Sequence, residues 1–240
     1  MCGRFVLTML EDFIKDLPWV RPPDELPPAS YNIAPTHPVA VVPNTPDHRV
    51  DFFHWGLVPA WAKDPSIGSR MINARAESLA EKPAFRRALQ RRRCLIPADG
   101  FYEWRKEPNG RKTPLFIRRK DRQPLALAGL WETWHDPGGS QLNSCTIITT
   151  EPNDLIRDIH DRMPAVLQPG DYQRWLDPEP RDPPELKDLL KPYPAELMEA
   201  YPVSRAVNSP KNNSPTCVEP IAPDPPPKKK GMDQPGLFGT

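Results

Sequence analysis

No stretch of this sequence approaches the roughly 18 consecutive apolar residues a membrane-spanning helix needs, which excludes a helical membrane protein. The chain turns polar within a few residues of its start, so no signal peptide is expected. No two of the four cysteines, Cys2, Cys94, Cys145 and Cys217, form a CxxC pair, which excludes that metal or redox motif. No metal and no cofactor is expected, and free thiols suit a reducing compartment. The sequence has no internal repeat and no regular strand–helix alternation. A parallel sheet of βαβ units is therefore not expected. Net charge is only +1, which by itself says nothing about partners.

Proline is abundant, at 35 of 240 residues, and sets many loops between short elements. Hydrophobic residues, 38% of the chain, suffice for one sizeable core. Met9, Leu10, Phe13, Ile14 and Leu17 share one face of a helix over 8–17. A second helix runs over 83–93, with Pro83 near its start and Phe85 and Leu89 buried. Strands are read at 39–42, 50–57, 94–96, 115–118, 125–131 and 144–149, and a short helix or turn at 155–159. Two further short helices fit 171–176 and 184–190. The fold class is α+β: a single domain with a largely antiparallel, barrel-like sheet flanked by short helices. It spans 1–208. From Ser209 the composition shifts to proline and lysine, and 209–240 is expected to be a disordered tail.

Charge is segregated. Residues 82–122 hold fourteen Lys and Arg against four Asp and Glu, whereas 171–200 hold eight acidic and four basic residues. A basic middle on a neutral chain suits phosphate contact, or is simply a solvated face.

The residue best suited to chemistry is Cys2. A small residue after Met1 favours removal of that methionine. The new terminus would then carry a free amine and a thiol on one residue. An α-amine with a pKa of about 7.7–8.0 is partly neutral near pH 7 and attacks an aldehyde to give a Schiff base. The thiol can then close a five-membered thiazolidine. Gly3 allows close approach of another chain, Arg4 can hold a phosphate, and Phe5 with the following helix can anchor the terminus. Glu103, between Tyr102 and Trp104, should resist ionisation, which suits a general acid/base.

The segments CGRF, YNIAPT, WGLVPAW, INARAE, RCLIPADGFYEW, IITTEPN, HDRMP and PVSRAVN, in this order from Cys2 to Asn208, resemble the SOS-response-associated peptidase (SRAP) family. The resemblance implies covalent capture of abasic sites in single-stranded DNA. Cys2 would be the nucleophile. Asn73 would orient the amine and the sugar. Glu103 would open the sugar ring and move protons, and His160 would polarise the sugar hydroxyl and assist reversal. Arg4, Arg75 and Arg162 would bind phosphates, Thr149 would line the pocket, and Pro35 and Trp61 would pack against unstacked bases. Arg86, Arg87, Arg91, Arg92 and Arg93 would divide between phosphate contacts and surface charge. Autoproteolysis ahead of Cys2, and lyase activity, are also implied. Ala62 stands where some members have a second tryptophan, which weakens base wedging. A monomer is expected and, for a bacterial chain, a cytoplasmic, nucleoid-associated location.

Two other readings stay open: a cysteine peptidase acting on other proteins, and a noncatalytic single-strand-binding module. Near the C-terminus, Gln234, Leu237 and Phe238 resemble the short peptides that dock bacterial repair proteins on the sliding clamp. The proline-rich stretch before them would act as a spacer.

Overall fold

The computed structural model describes residues 2–136 and 138–221. Among them, thirteen strands and four short α-helices are formed. The strands are β1 (Phe5–Leu7), β2 (Ser30–Ile33), β3 (Pro38–Pro43), β4 (Asp51–Trp55), β5 (Asn73–Arg75), β6 (Arg93–Ala98) and β7 (Gly100–Lys106). They continue with β8 (Lys112–Arg119), β9 (Leu125–His135), β10 (Gln141–Thr150), β11 (Met163–Pro164), β12 (Val166–Leu167) and β13 (Met198–Pro202). The helices are α1 (Leu10–Lys15), α2 (Pro83–Arg91), α3 (Tyr172–Trp175) and α4 (Pro183–Lys187).

Strands β10, β4, β3, β6 and β9 close into a five-stranded barrel, because β9 pairs with β6 on one side and with β10 on the other. Closure leaves no open edge in that ring. All its pairings are antiparallel except β4 with β10. Strand β5 follows β4 along the same flank of β10, also parallel, with Asn73 opposite Ile147 and Arg75 opposite Thr149. The fold class expected from the sequence, α+β with a largely antiparallel barrel-like sheet, is the one observed.

A second sheet, in the order β13-β8-β7-β1-β2, lies against the barrel. Alternation along its strands sorts the side chains. Phe5, Phe101 and Ile117 join the main core, whereas Val6, Tyr102 and Phe116 form a smaller cluster with Val203, Val207 and Cys217. The chain after Asn208 helps cover that outer face. Cys217 is fully buried, and Asn213 accepts a hydrogen bond from the Tyr31 amide at 2.6 Å. Packing against the body thus continues through 209–221, beyond the composition break at Ser209. The remaining tail, with the lysine run and Gln234, Leu237 and Phe238, lies outside the described residues.

Candidate active site

The start of the chain is anchored on three sides. Phe5 pairs with Ile33 of β2 and Phe101 of β7, and its ring stands edge-on to Trp55 at 5.1 Å. Asp99 then accepts hydrogen bonds from the Thr8 amide, the Thr8 hydroxyl and the Met9 amide. Arg4 donates from Nη1 to Asn32 Oδ1 at 2.7 Å and to the Val207 carbonyl at 2.8 Å, with its guanidinium over Trp104. The amide of Asn32 donates in turn to the carbonyls of Val207, Ser209 and Asn212. Arg4 thereby stitches the N-terminal strand to the C-terminal segment, and this competes with the phosphate role expected of it.

Cys2 is fully buried, and burial raises its thiol pKa far above the ordinary value, with the carboxylate of Glu103 adding to the rise. Glu103 is 3% exposed. The Tyr102 amide donates to the Arg4 carbonyl, and continuing this register along β7 brings Glu103 opposite Gly3. Burial pushes the Glu103 pKa up to about 7, and the nearby Asp161 carboxylate contributes in the same direction. The expected cause needs correcting here. Tyr102 and Trp104 lie on the other face of β7 and pack into the outer cluster. What desolvates Glu103 is the space between the two sheets, not its sequence neighbours.

Residues 160–162 form the third wall. The backbone N–H of Arg162 donates to His160 Nδ1 at 3.1 Å. A backbone N–H can only donate, so this contact calls for a bare Nδ1. An oxygen of Asp161, whose side chain is 84% exposed, lies 2.8 Å from the same nitrogen and calls for a protonated Nδ1, so the two contacts favour opposite tautomers. Burial lowers the His160 pKa, which favours the neutral form. Asn73 joins this group indirectly. Trp55, already against Phe5, donates from Nε1 to the Ile72 carbonyl at 2.9 Å. Asn73 Nδ2 lies 3.5 Å from the Ile147 carbonyl, while its buried Oδ1 has no hydrogen-bond partner among the described residues.

A model of the SOS response associated peptidase (SRAP) family matches residues 1–210. The chain belongs to the SRAP family. It is 49% identical over 223 residues to the abasic site processing protein YoqW of Bacillus subtilis (strain 168), covering 91% of this chain and 99% of that one. It is 32% identical over 233 residues to the abasic site processing protein YedK of Escherichia coli (strain K12), covering 92% of this chain and 100% of that one. Among solved structures, a protein from Bacteroides thetaiotaomicron superimposes with a TM-score of 0.82 at 28% identity, over 92% of this chain and all of that one.

The outer residues of this SRAP chain divide into open and committed groups. Trp61 is 61% exposed, on a loop held by a bond from Trp134 Nε1 to the Ala62 carbonyl at 2.7 Å. The loop leaves β4 at Gly56, where φ is +141° and an added Cβ would lie 2.6 Å from the Gly68 carbonyl oxygen. Only glycine fits there. Pro35 begins a turn in which Thr36 takes a φ of 72° and donates its amide to the Trp55 carbonyl. Arg75 is exposed. Arg162 is engaged: it donates to both oxygens of Glu77 and to the carbonyl of Thr149.

Several arginines of the basic stretch are also committed. Arg93 is fully buried and donates to the carbonyls of Trp175, Leu89, Gln90, Asp177 and Glu179. It is neither a phosphate contact nor surface charge. Arg92 pairs with Glu132, Arg118 with Glu199 and Arg119 with Asp121. Sequence reasoning gave no role to Asn32 or Trp55 and did not assign Glu77 beyond its motif. The available signal was their place inside unusual segments: an amide in YNIAPT, a carboxylate in INARAE.

Proposed function

We propose that this SRAP chain captures abasic sites in single-stranded DNA covalently through the amine and thiol of Cys2, once Met1 has been removed autocatalytically or by an aminopeptidase. The observation that carries this reading is the buried carboxyl of Glu103 beside the buried thiol of Cys2. A carboxyl with a pKa near 7 can both give and take a proton at neutral pH.

The steps balance without any cofactor. Glu103 gives its proton to the ring oxygen of the abasic sugar and takes up the proton that the anomeric hydroxyl loses, which opens the ring to the aldehyde and leaves Glu103 protonated again. The neutral Cys2 amine adds to the aldehyde carbon. One amine proton moves to the aldehyde oxygen to give the carbinolamine; Glu103 then protonates its hydroxyl, water leaves, and the nitrogen returns its remaining proton to Glu103 as the neutral C=N bond forms. The thiol adds across that bond: the new C–S bond closes the thiazolidine and the thiol proton moves to nitrogen. His160 would polarise the open-chain sugar hydroxyl, and Asn73 Oδ1 would accept from the amine. Before ring closure the imine also permits strand cleavage by β-elimination, which is where lyase activity would arise. Trp61 and Pro35 would hold neighbouring bases, with Arg75 and Thr149 at the pocket edge.

A peptidase acting on foreign proteins fits less well. Such enzymes use a thiolate, which needs a depressed pKa, and burial moves Cys2 in the opposite direction. The clamp contact through Gln234, Leu237 and Phe238 is a further proposal, tested by anisotropy of a labelled 231–240 peptide with a bacterial clamp. No binding at high micromolar clamp removes it.

The test of the main reading is a denaturing gel of the protein with single-stranded DNA carrying one abasic site. The parent chain should give a heat-stable adduct. Cys2→Ser should abolish it while lesion-free DNA still binds. No adduct from the parent chain overturns the reading.

A further inference from the structure

The strand that carries Glu103 does not stop at the site. Beyond Glu103, β7 and β8 stay paired through Trp104 with Pro114, Arg105 with Thr113 and Lys106 with Lys112. At about 3.3 Å per residue, the last pair stands roughly 10 Å further out than Glu103. The turn that joins the strands is closely bonded. The Glu107 amide donates to the Arg111 carbonyl at 2.8 Å, and the Gly110 amide donates to the Glu107 carbonyl at 2.9 Å. Asn109 Oδ1 accepts from the Arg111 amide at 3.0 Å.

Residues 105–112 carry four basic side chains and one acidic one. The acid, Glu107, is spent on Arg105, whose Nε donates to it at 3.1 Å. Lys106, Arg111 and Lys112 are exposed and have no acidic partner among the described residues. Lys106 stands directly opposite Lys112, and like charges so placed destabilise a strand pair. Elsewhere on β8 the cations are neutralised, Arg118 by Glu199 and Arg119 by Asp121. The hairpin thus holds surplus positive charge that an anion would relieve. It also lies within electrostatic range of the site. Burial is the larger cause of the lowered His160 pKa, and the Lys112 ammonium adds to it.

We infer that Lys106, Arg111 and Lys112 form a phosphate-binding rail for the stretch of single-stranded DNA that leaves the pocket on the hairpin's side. This rests on the proposed capture of abasic single-stranded DNA and adds to it a contact outside the pocket. Alternation puts Lys106 and Lys112 on the face that carries Trp104, away from Glu103. They therefore hold the backbone around the end of the sheet and do not touch the reacting sugar. A hairpin braced by its own turn loses little freedom on binding. Contacts to phosphate carry no sequence information, so the rail serves a lesion in any sequence.

The experiment compares two double variants with the same change in net charge. Lys106→Gln with Lys112→Gln alters the hairpin. Lys120→Gln with Arg122→Gln alters exposed cations just past the other end of β8. Adduct formation is timed over a range of abasic single-stranded DNA and salt concentrations. The hairpin variant should need several-fold more DNA for half-saturation near about 0.1 M salt. Its log–log salt dependence should be shallower by roughly one, because each single-strand phosphate contact contributes about 0.7. The Lys120 and Arg122 variant should shift that slope far less. The DNA is then shortened to about two nucleotides on one side of the lesion or the other. One of these truncations should weaken the parent to the level of the hairpin variant and leave the hairpin variant as it was. The melting temperature of the hairpin variant should not fall, because a like-charged pair has been removed.

Equal losses in the two variants would overturn the inference, because net charge and not the hairpin would then set the affinity. An unchanged salt dependence in the hairpin variant would overturn it, as would truncations that weaken parent and hairpin variant alike. A parent chain that neither forms the adduct nor binds single-stranded DNA would remove the proposed function and the rail with it. A parent chain that forms the adduct, with a hairpin variant that matches it in every measure, would remove the rail alone.

Discussion

Glu103 is proposed to do chemistry, and its burial also bears on stability. Its folded pKa of about 7 lies above the ordinary carboxyl value of 4.5. Between those values the folded chain binds more protons than the unfolded chain. Stability therefore rises as pH falls from 7 toward 4.5 and is lowest above 7, where a buried charge must be carried. Glu103→Gln removes that cost. At about 1.4 kcal/mol per pKa unit, the variant should be more stable than the parent by on the order of 3 kcal/mol at pH 8. Near pH 5 the two should almost converge. Urea unfolding at both pH values measures this, and an equal difference at pH 5 and pH 8 would show that the carboxyl is not strained by burial. The same variant should lose adduct formation. Greater stability with less activity at a single position is the mark of a strained functional group.

At the scale of elements, Arg93 shows how a cation can organise helices. Carbonyls at a helix C-terminus lack partners within the helix. Arg93 takes those of Leu89 and Gln90 at the end of α2, that of Trp175 in α3, and two more from the following loop. Arg93→Met should cost about 3 kcal/mol or more, because it leaves several buried acceptors unpaired; denaturant unfolding reads this directly, and a loss below about 1 kcal/mol would contradict it. Trp61, at the tip of an anchored loop, should behave differently. Trp61→Ala should leave the melting temperature nearly unchanged and weaken single-strand binding by about 1–3 kcal/mol, the worth of one stacked base; unchanged binding would remove it from the interface.

The long barrel strands and α2 were legible in the sequence because their apolar residues recur at the right spacing. Strand β7 was not. Asp99-Gly100 reads as a turn, yet Gly100 begins the strand, and glycine is required there by packing: a Cβ would lie 2.5 Å from both the Ile117 carbonyl oxygen and the Phe116 ring. Likewise β1 and β5, three residues each, are too short for periodicity to mark them.

Across the whole molecule, the charge pattern of the sequence is only partly the charge pattern of the surface. The stretch over 82–122 is strongly basic. Arg93 is buried within it, and Arg92, Arg118 and Arg119 are paired with acids from elsewhere or nearby. Salt dependence of DNA binding should accordingly be shallower than fourteen cations would suggest, with a slope reporting only the few phosphates neutralised. The site was legible as a set of unusual segments. Their meeting was not, because it depends on the barrel placing β5 beside β10 and on the second sheet carrying Cys2 and Glu103 into the gap. The proposed reaction turns on the atom that meets the lesion. Intact-mass and peptide mapping of the adduct with abasic single-stranded DNA test it most directly. The expected product is a protein lacking Met1, joined to the DNA at Cys2 with loss of one water. An adduct that retains Met1, or one attached at any other residue, would contradict it.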